Sequence, residues 1–210
     1  NDRLYQLFLN LEFSKLIEKY HLTAPQGEQA VQSDAPAVLE GGCYLETDIT
    51  PEHARSLLEL WRTKEVVHII ALPSLDAVCV ECHLNDDAWN ASLLRADKLE
   101  NYNEIVRTLF SDPAIKKAAH GVKNLCRALL AEGITPNGFV FDTEVAAYLL
   151  APADGSYELE KLGLTYYSQQ FPRAELYLEE GAFGPLSDPA APAEAMMRHC
   201  LLIDALREAL

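Results

Sequence analysis

The chain has no apolar run long enough to cross a bilayer. Its longest, around residues 66–72 and 146–151, fall far short of the roughly 20 residues a membrane helix needs, so no membrane contact is expected. Positive charge is scarce. Lys and Arg number 17 against 32 Asp and Glu, a net charge of −15. That field repels phosphate and anionic lipid within a Debye length, and non-specific nucleic-acid binding depends on cations displacing counterions. Cysteine is sparse and odd in number, five residues with no secretory signal, which argues for reduced thiols in the cytoplasm over a disulfide framework. With Gly at 10 and Pro at 11, collagen-like and low-complexity classes are excluded. Gly-rich phosphate loops, Gly-x-Ser-x-Gly elbows and His-Glu-x-x-His helices are missing too. On motif chemistry alone the chain shows no active site.

What is present is material for one sizeable core: 210 residues, 49% hydrophobic. The chain starts at Asn1 without Met, and charges punctuate its first apolar segment, so it reads as a piece of a longer protein and not as a signal peptide. Residues 1–20 read as a helical linker segment from an upstream domain, and 21–42, rich in Pro, Gly and small polar residues, as a loop or linker. The remainder, 43–210, reads as one domain. A strand is expected at 43–49. Thr50-Pro51-Glu52 then starts a helix with a capping hydroxyl, a fixed φ and a first-turn acid. Strands at 65–72 and 77–84 flank the turn Pro73-Ser74-Leu75-Asp76. Residues 85–98 give no clear pattern. Helices follow at 101–110 and 122–132, a short strand at 139–141, helices at 143–150 and 157–167, an irregular stretch at 168–192 and a final helix at 193–210. The order implies a mixed α/β domain.

Cys79-Val80-Glu81-Cys82-His83 matches the c-type haem attachment spacing, but its alternation is that of a strand, which sends the two thiols to opposite faces. Half-buried structural cysteines are the expected reading. Glu46-Thr47-Asp48 and Asp142-Thr143-Glu144 are acid–x–acid pairs that read first as a solvated strand face and a helix cap. Arg107, Lys116, Lys117, Lys123 and Arg127 concentrate the positive charge in 21 residues with one acid, Asp112. The plain reading is a solvated helix surface.

The segment Ile115-Lys116-Lys117-Ala118-Ala119-His120-Gly121-Val122-Lys123-Asn124-Leu125, continued by Gly133-Ile134 and by Phe139-Val140-Phe141-Asp142-Thr143-Glu144-Val145-Ala146-Ala147-Tyr148-Leu149-Leu150, resembles the 3′–5′ exonuclease domain of bacterial DNA polymerase I. Family members carry His-Asn-x-Lys-x-Asp, a helix, Gly-Ile, Phe-Asp-Thr and an Ala-Tyr-Leu-Leu helix in that order. Leu7-Phe8-Leu9-Asn10-Leu11-Glu12-Phe13 is similar to the family's linking segment, and Tyr157-Glu158-Leu159-Glu160-Lys161-Leu162 to its next helix. The resemblance implies an RNase H-like exonuclease fold, a mixed central sheet flanked by helices. It also implies, in active members, two metal ions held by an Asp-x-Glu on the first core strand, an Asp in the His-Asn-x-Lys-x-Asp helix and an Asp in a final Tyr-x-x-x-Asp helix.

This chain departs at each place. His120 and Lys123 put Gly121 at the family's Asn and Leu125 at its Asp. Residues 66–75 contain no acid, and the final motif falls where Met196, Met197, His199 and Leu201 stand, with Asp204 about one turn beyond. No catalytic, cofactor or metal residue is therefore assigned. Gly121, Leu125, His199 and Leu201 mark vestigial positions, and any weak DNA contact is expected at Lys116, Lys117, Lys123 and Arg127. The expected role is a catalytically inactive spacer within a DNA replication and repair polymerase, monomeric and cytoplasmic, adjoining the polymerase domain, through which DNA is met. Magnesium is expected for that parent enzyme and no cofactor for this domain. Two alternatives are an active RNase D-like exonuclease using Glu46, Asp48, Asp142 and Asp204, and a stand-alone acidic protein-interaction domain.

Overall fold

The computed structural model describes residues 42–85, 88–184 and 188–210, all within the compact unit Ala35–Leu210. The linker expected over 1–20 and nearly all of 21–42 lie outside the described residues. Six strands form one sheet: β1 (Gly42–Glu46), β2 (Val67–Ala71), β3 (Ala77–Asn85), β4 (Ala88–Arg95), β5 (Lys117–Ala119) and β6 (Phe139–Asp142). Their order across the sheet is β1-β4-β3-β2-β5-β6. β2, β3 and β4 form an antiparallel meander, while β5 runs parallel to β2 and β6 parallel to β5. β1 adds to β4 in parallel at the edge.

The stretch 85–98, without pattern in sequence, is largely β4. Its last six residues, Asn90 to Arg95, are all buried, and a strand covered on both faces loses the polar–apolar alternation that reveals a half-exposed one.

Helices α1 (Pro51–Thr63), α2 (Tyr102–Ser111) and α3 (Val122–Ala131) cover one face. There Ala54, Leu57, Leu58 and Trp61 of α1 bury their three- and four-residue stripe with Ile105 and Leu109 of α2 against Val67, Ile69, Val78, Val80 and Cys82. Thr50 caps α1 as expected, its hydroxyl accepting from His53 N at 3.2 Å. On the other face, α4 (Thr143–Leu150), α5 (Leu159–Tyr167), the short α6 (Glu175–Leu178) and α7 (Ala190–Ala209) pack with Ile70, Cys79, Ala91 and Leu93. Cys79 and Cys82 thus belong to opposite faces, which rules out a haem-type pair of thiols. The five cysteines are free. Among the described residues no helix is long and apolar enough to cross a membrane.

The β2–β3 hairpin turns through Leu75, which sits at φ +59. A leucine adopts that left-handed conformation here because its side chain is buried and the Tyr102 hydroxyl donates to its carbonyl.

Candidate functional site

The parallel strands β2, β5 and β6 end at the same edge of the sheet, where open α/β sheets commonly gather ligands. A cavity of about 390 Å³ opens there. Ile69 and Ala71 of β2, two apart on one strand and facing α3, form part of its wall with Leu125 and Ala128. His120, at the end of β5, and Gly121, at the start of α3, close one side; Glu144, Glu158, Glu160 and Tyr177 close the rest.

The β5–α3 junction is built by one carboxylate. Asp142 caps α4, accepting from Glu144 N at 3.0 Å and Val145 N at 3.5 Å, and also accepts from Gly121 N and Val122 N at 3.0 and 2.8 Å. The sequence expectation that Asp142 is a helix cap holds, and the same side chain also anchors the start of α3. Gly121 sits at φ +68 with its open side facing Glu144, a conformation that glycine adopts freely and asparagine tolerates. His120 Nδ1 lies 2.9 Å from the Thr143 hydroxyl, and burial pushes the imidazole down to about 4, so it is neutral at physiological pH.

Leu125 is half-buried and leans on the core. It is less enclosed than a fully apolar closure of the pocket would make it, because the cavity itself stays open beside it. His199 and Leu201, on α7, are both buried. His199 Nε2 donates to the Pro172 carbonyl at 2.8 Å, which leaves Nδ1 to accept from the Tyr177 hydroxyl at 2.7 Å. Both ring nitrogens are satisfied, and burial holds the imidazole below its ordinary range.

A two-metal exonuclease centre needs carboxylate oxygens converging on hard cations. The residues at this strand edge do not fit it. Residues 66–75 hold no acid, so β2 offers no same-face acid pair in any register, its cavity-facing Ile69 and Ala71 are apolar, and Leu125 offers no lone pair. Of the other acids, Glu46 meets His53 at 2.8 Å, Asp142 caps two helices and Glu160 accepts from Ala174 N; Glu144, Glu158 and Glu160 line the cavity without forming a group of ligands among the described residues. The set Glu46, Asp48, Asp142 and Asp204 does not gather into a group of ligands among the described residues.

Of the basic residues, Lys116, Lys123 and Arg127 are exposed. Lys117 is not, and its expected DNA contact is corrected. Its ammonium is buried and donates to the carbonyls of Asp112, at 3.0 Å, and Ile115, and burial pushes it down to about 8. Gly138 makes room for it: a Cβ there would come within 2.3 Å of the Ile115 carbonyl oxygen and 2.8 Å of the Lys117 nitrogen.

Sequence reasoning missed a polar cluster on the α7 face, where His68 and Glu81 are fully buried beside Asp204. Its signal was a His and a Glu inside strands that are otherwise apolar. Only the hairpin register, which pairs His68 with Glu81, brings them together.

The fold is the RNase H-like fold of 3′–5′ exonucleases. Trypanosoma brucei RNase D superposes with a TM-score of 0.58 at 13% identity, over 82% of this chain and 65% of that one. Escherichia coli RNase D, described as an exoribonuclease involved in structured RNA processing, gives 0.54 at 14%, over 79% and 48%. The POL domain of Mycobacterium smegmatis Pol1, solved with DNA primer-template and dNTP, gives 0.57 at 19%, over 77% and 27%. No family model matches the chain. In sequence it is 40% identical over 178 residues to DNA polymerase I of Mycobacterium tuberculosis and of Mycobacterium bovis, and 27% identical over 179 residues to that of Mycobacterium leprae. The chain is a relative of bacterial DNA polymerase I with the fold of its 3′–5′ exonuclease domain. The match covers 83% of this chain and 19% of those polymerases.

Proposed function

We propose that this is a catalytically silent exonuclease-like domain that acts as a rigid spacer in a DNA polymerase I. The single observation that carries the reading is the hydrocarbon wall of Ile69, Ala71 and Leu125 at the strand edge where a nuclease of this fold would assemble its metals. The cavity walls add Glu144, Glu158 and Glu160 but no Lys or Arg, which disfavours a phosphate backbone. In this reading the domain is a monomeric part of a cytoplasmic polymerase and takes no cofactor for exonuclease chemistry. DNA is met through the adjoining polymerase domain, whose magnesium and dNTP chemistry lies outside this domain.

The test is digestion of labelled single-stranded DNA and RNA by the purified chain with magnesium or manganese. No shortening is expected. Metal-dependent digestion that disappears in Asp142→Asn or Asp204→Asn would overturn the proposal and favour a working RNase D-like nuclease.

A further inference from the structure

The α7 face of the hairpin holds a second concentration of chemistry, independent of whether the exonuclease is silent. His68 Nδ1 lies 2.7 Å from Glu81 Oε2, and its other nitrogen, Nε2, lies 3.3 Å from Asp204 Oδ1. One donor atom from each residue lies within 4.8 Å of the other two. Yet His68 Nε2, Glu81 Oε1 and Asp204 Oδ1 are buried without a hydrogen-bond partner, so the 3.3 Å approach is not an aligned hydrogen bond. Buried polar atoms are rarely left that way without a reason.

His83 stands at the mouth, its side chain 41% exposed. Its Nε2 is 2.6 Å from Asp204 Oδ2 and 3.0 Å from Trp89 Nε1. An indole N–H can only donate. One nitrogen cannot accept from Trp89 and donate to Asp204 at once, so the hydrogen bonds around Asp204 are over-subscribed.

We propose that His68, Glu81 and Asp204 bind one divalent transition-metal ion of the zinc class, with His83 at the solvent edge of the site. One imidazole and two carboxylates are a donor set suited to zinc, cobalt or manganese, whereas magnesium demands an octahedron of oxygens. With His68 neutral, the two carboxylates carry two negative charges, which a divalent ion cancels. Zinc bonds of about 2 Å require donors roughly 3.3 Å apart, so from donors within 4.8 Å of one another the closure onto an ion takes up to about 1.5 Å of side-chain adjustment.

The site is no remnant of the two-metal centre. His68 is next to Ile69 in β2, but neighbours on a strand point to opposite faces, so His68 faces α7 while Ile69 and Ala71 face α3. The path of α7 agrees: Cys200 meets Cys79, and Asp204, one turn on, meets His68.

The purified chain, stripped with EDTA, is titrated with zinc by calorimetry and with cobalt by absorption. One ion per chain is expected, with visible cobalt d–d bands, no thiolate charge-transfer absorption and no uptake of magnesium at the same concentration. His68→Gln and Asp204→Asn should each weaken zinc binding at least 100-fold. His83→Gln, at the exposed rim, should weaken it about tenfold with an unchanged circular dichroism spectrum. Absence of saturable uptake would overturn the proposal, as would thiolate bands placing the ion on cysteines. If the buried variants fail to fold, His83→Gln decides, and an unchanged zinc affinity there would also overturn it. The rival occupant is a proton: NMR showing both N–H protons retained on His68 in excess zinc would establish an imidazolium bridge instead.

Discussion

Leu125→Asp returns one carboxyl to the wall where the exonuclease pattern calls for one. Complete burial of a leucine is worth about 1.5–3 kcal/mol, and Leu125 is only half-buried, so its packing contributes about 1 kcal/mol. The introduced carboxyl would lie against Ile69, Ala71 and Ala128, sharing the cavity with Glu144, Glu158 and Glu160. Desolvation and like charge both penalise its ionised form and raise its pKa above the unfolded value. Adding about 1–2 kcal/mol for that penalty gives a destabilisation of about 2–3 kcal/mol at pH 7. Leu125→Ala separates the two contributions, costing about 1 kcal/mol at any pH. A folded-state pKa raised above the unfolded one makes the charge penalty complete at neutral pH and above. The penalty shrinks as pH falls and both states become protonated, so the two variants should converge on acidification. Urea denaturation at pH 7 and pH 4 measures this. A change within about 0.5 kcal/mol of the parent chain, the range of ordinary surface positions, would refute the placement of Leu125. Nuclease activity in the variant would refute the silent reading, because one carboxylate cannot assemble two hard-cation sites.

His120 should titrate near 4 where a free imidazole titrates near 6.5. The unfolded chain then takes up the proton first, so stability is complete above pH 6.5, falls as pH drops and levels off below pH 4. The loss is roughly 3 kcal/mol by linkage. His120→Gln should flatten that slope, and an NMR titration midpoint near 6.5 would contradict the burial argument. For DNA, a labelled single strand should bind with a Kd weaker than about 10⁻⁴ M at physiological salt. Micromolar affinity in fluorescence anisotropy that survives charge reversal of Lys116, Lys123 and Arg127 would mean the binding surface lies elsewhere.

Much of the fold was legible because its signals are local. The Thr50 cap, the Pro73–Asp76 turn and the Asp142 cap each depend on residues a few positions apart, and each is found as read. The final helix differs only in its start, at Ala190, with Pro192 accommodated in the first turn, where a missing N–H costs nothing. What stayed hidden depends on pairing across the chain. β4 is covered on both faces and so carries no alternation. Lys117 looked like one of a cationic pair with Lys116, yet neighbours in extended chain point oppositely: Lys116, just before β5, is exposed, and Lys117 reaches into the carbonyls of Asp112 and Ile115. The His68–Glu81–Asp204 cluster needed a hairpin register and the docking of α7, neither of which is written in spacing.

The apolar wall also has a physical logic of its own. Carboxylates gathered around two cations are stabilised by those cations, and each depends on the others to hold them. Once one is lost and the metals go, the remaining acids become a buried group of like charges with nothing to neutralise them, a costly arrangement in a dry strand edge. Hydrocarbon then becomes the cheaper side chain at every such position, and on the proposed reading that would make Ile69, Ala71 and Leu125 apolar together and not singly. His199 fits the same logic: its two nitrogens are spent on Pro172 and Tyr177, leaving none for a ligand. By contrast Glu81 remains in a fully buried strand position, where burial pushes its carboxyl upward. An acid kept in such a place takes up a proton or is offset by a positive partner. Together with the unpartnered His68 Nε2 and Asp204 Oδ1, that is the reason to look for an occupant there and not in the cavity beside Leu125.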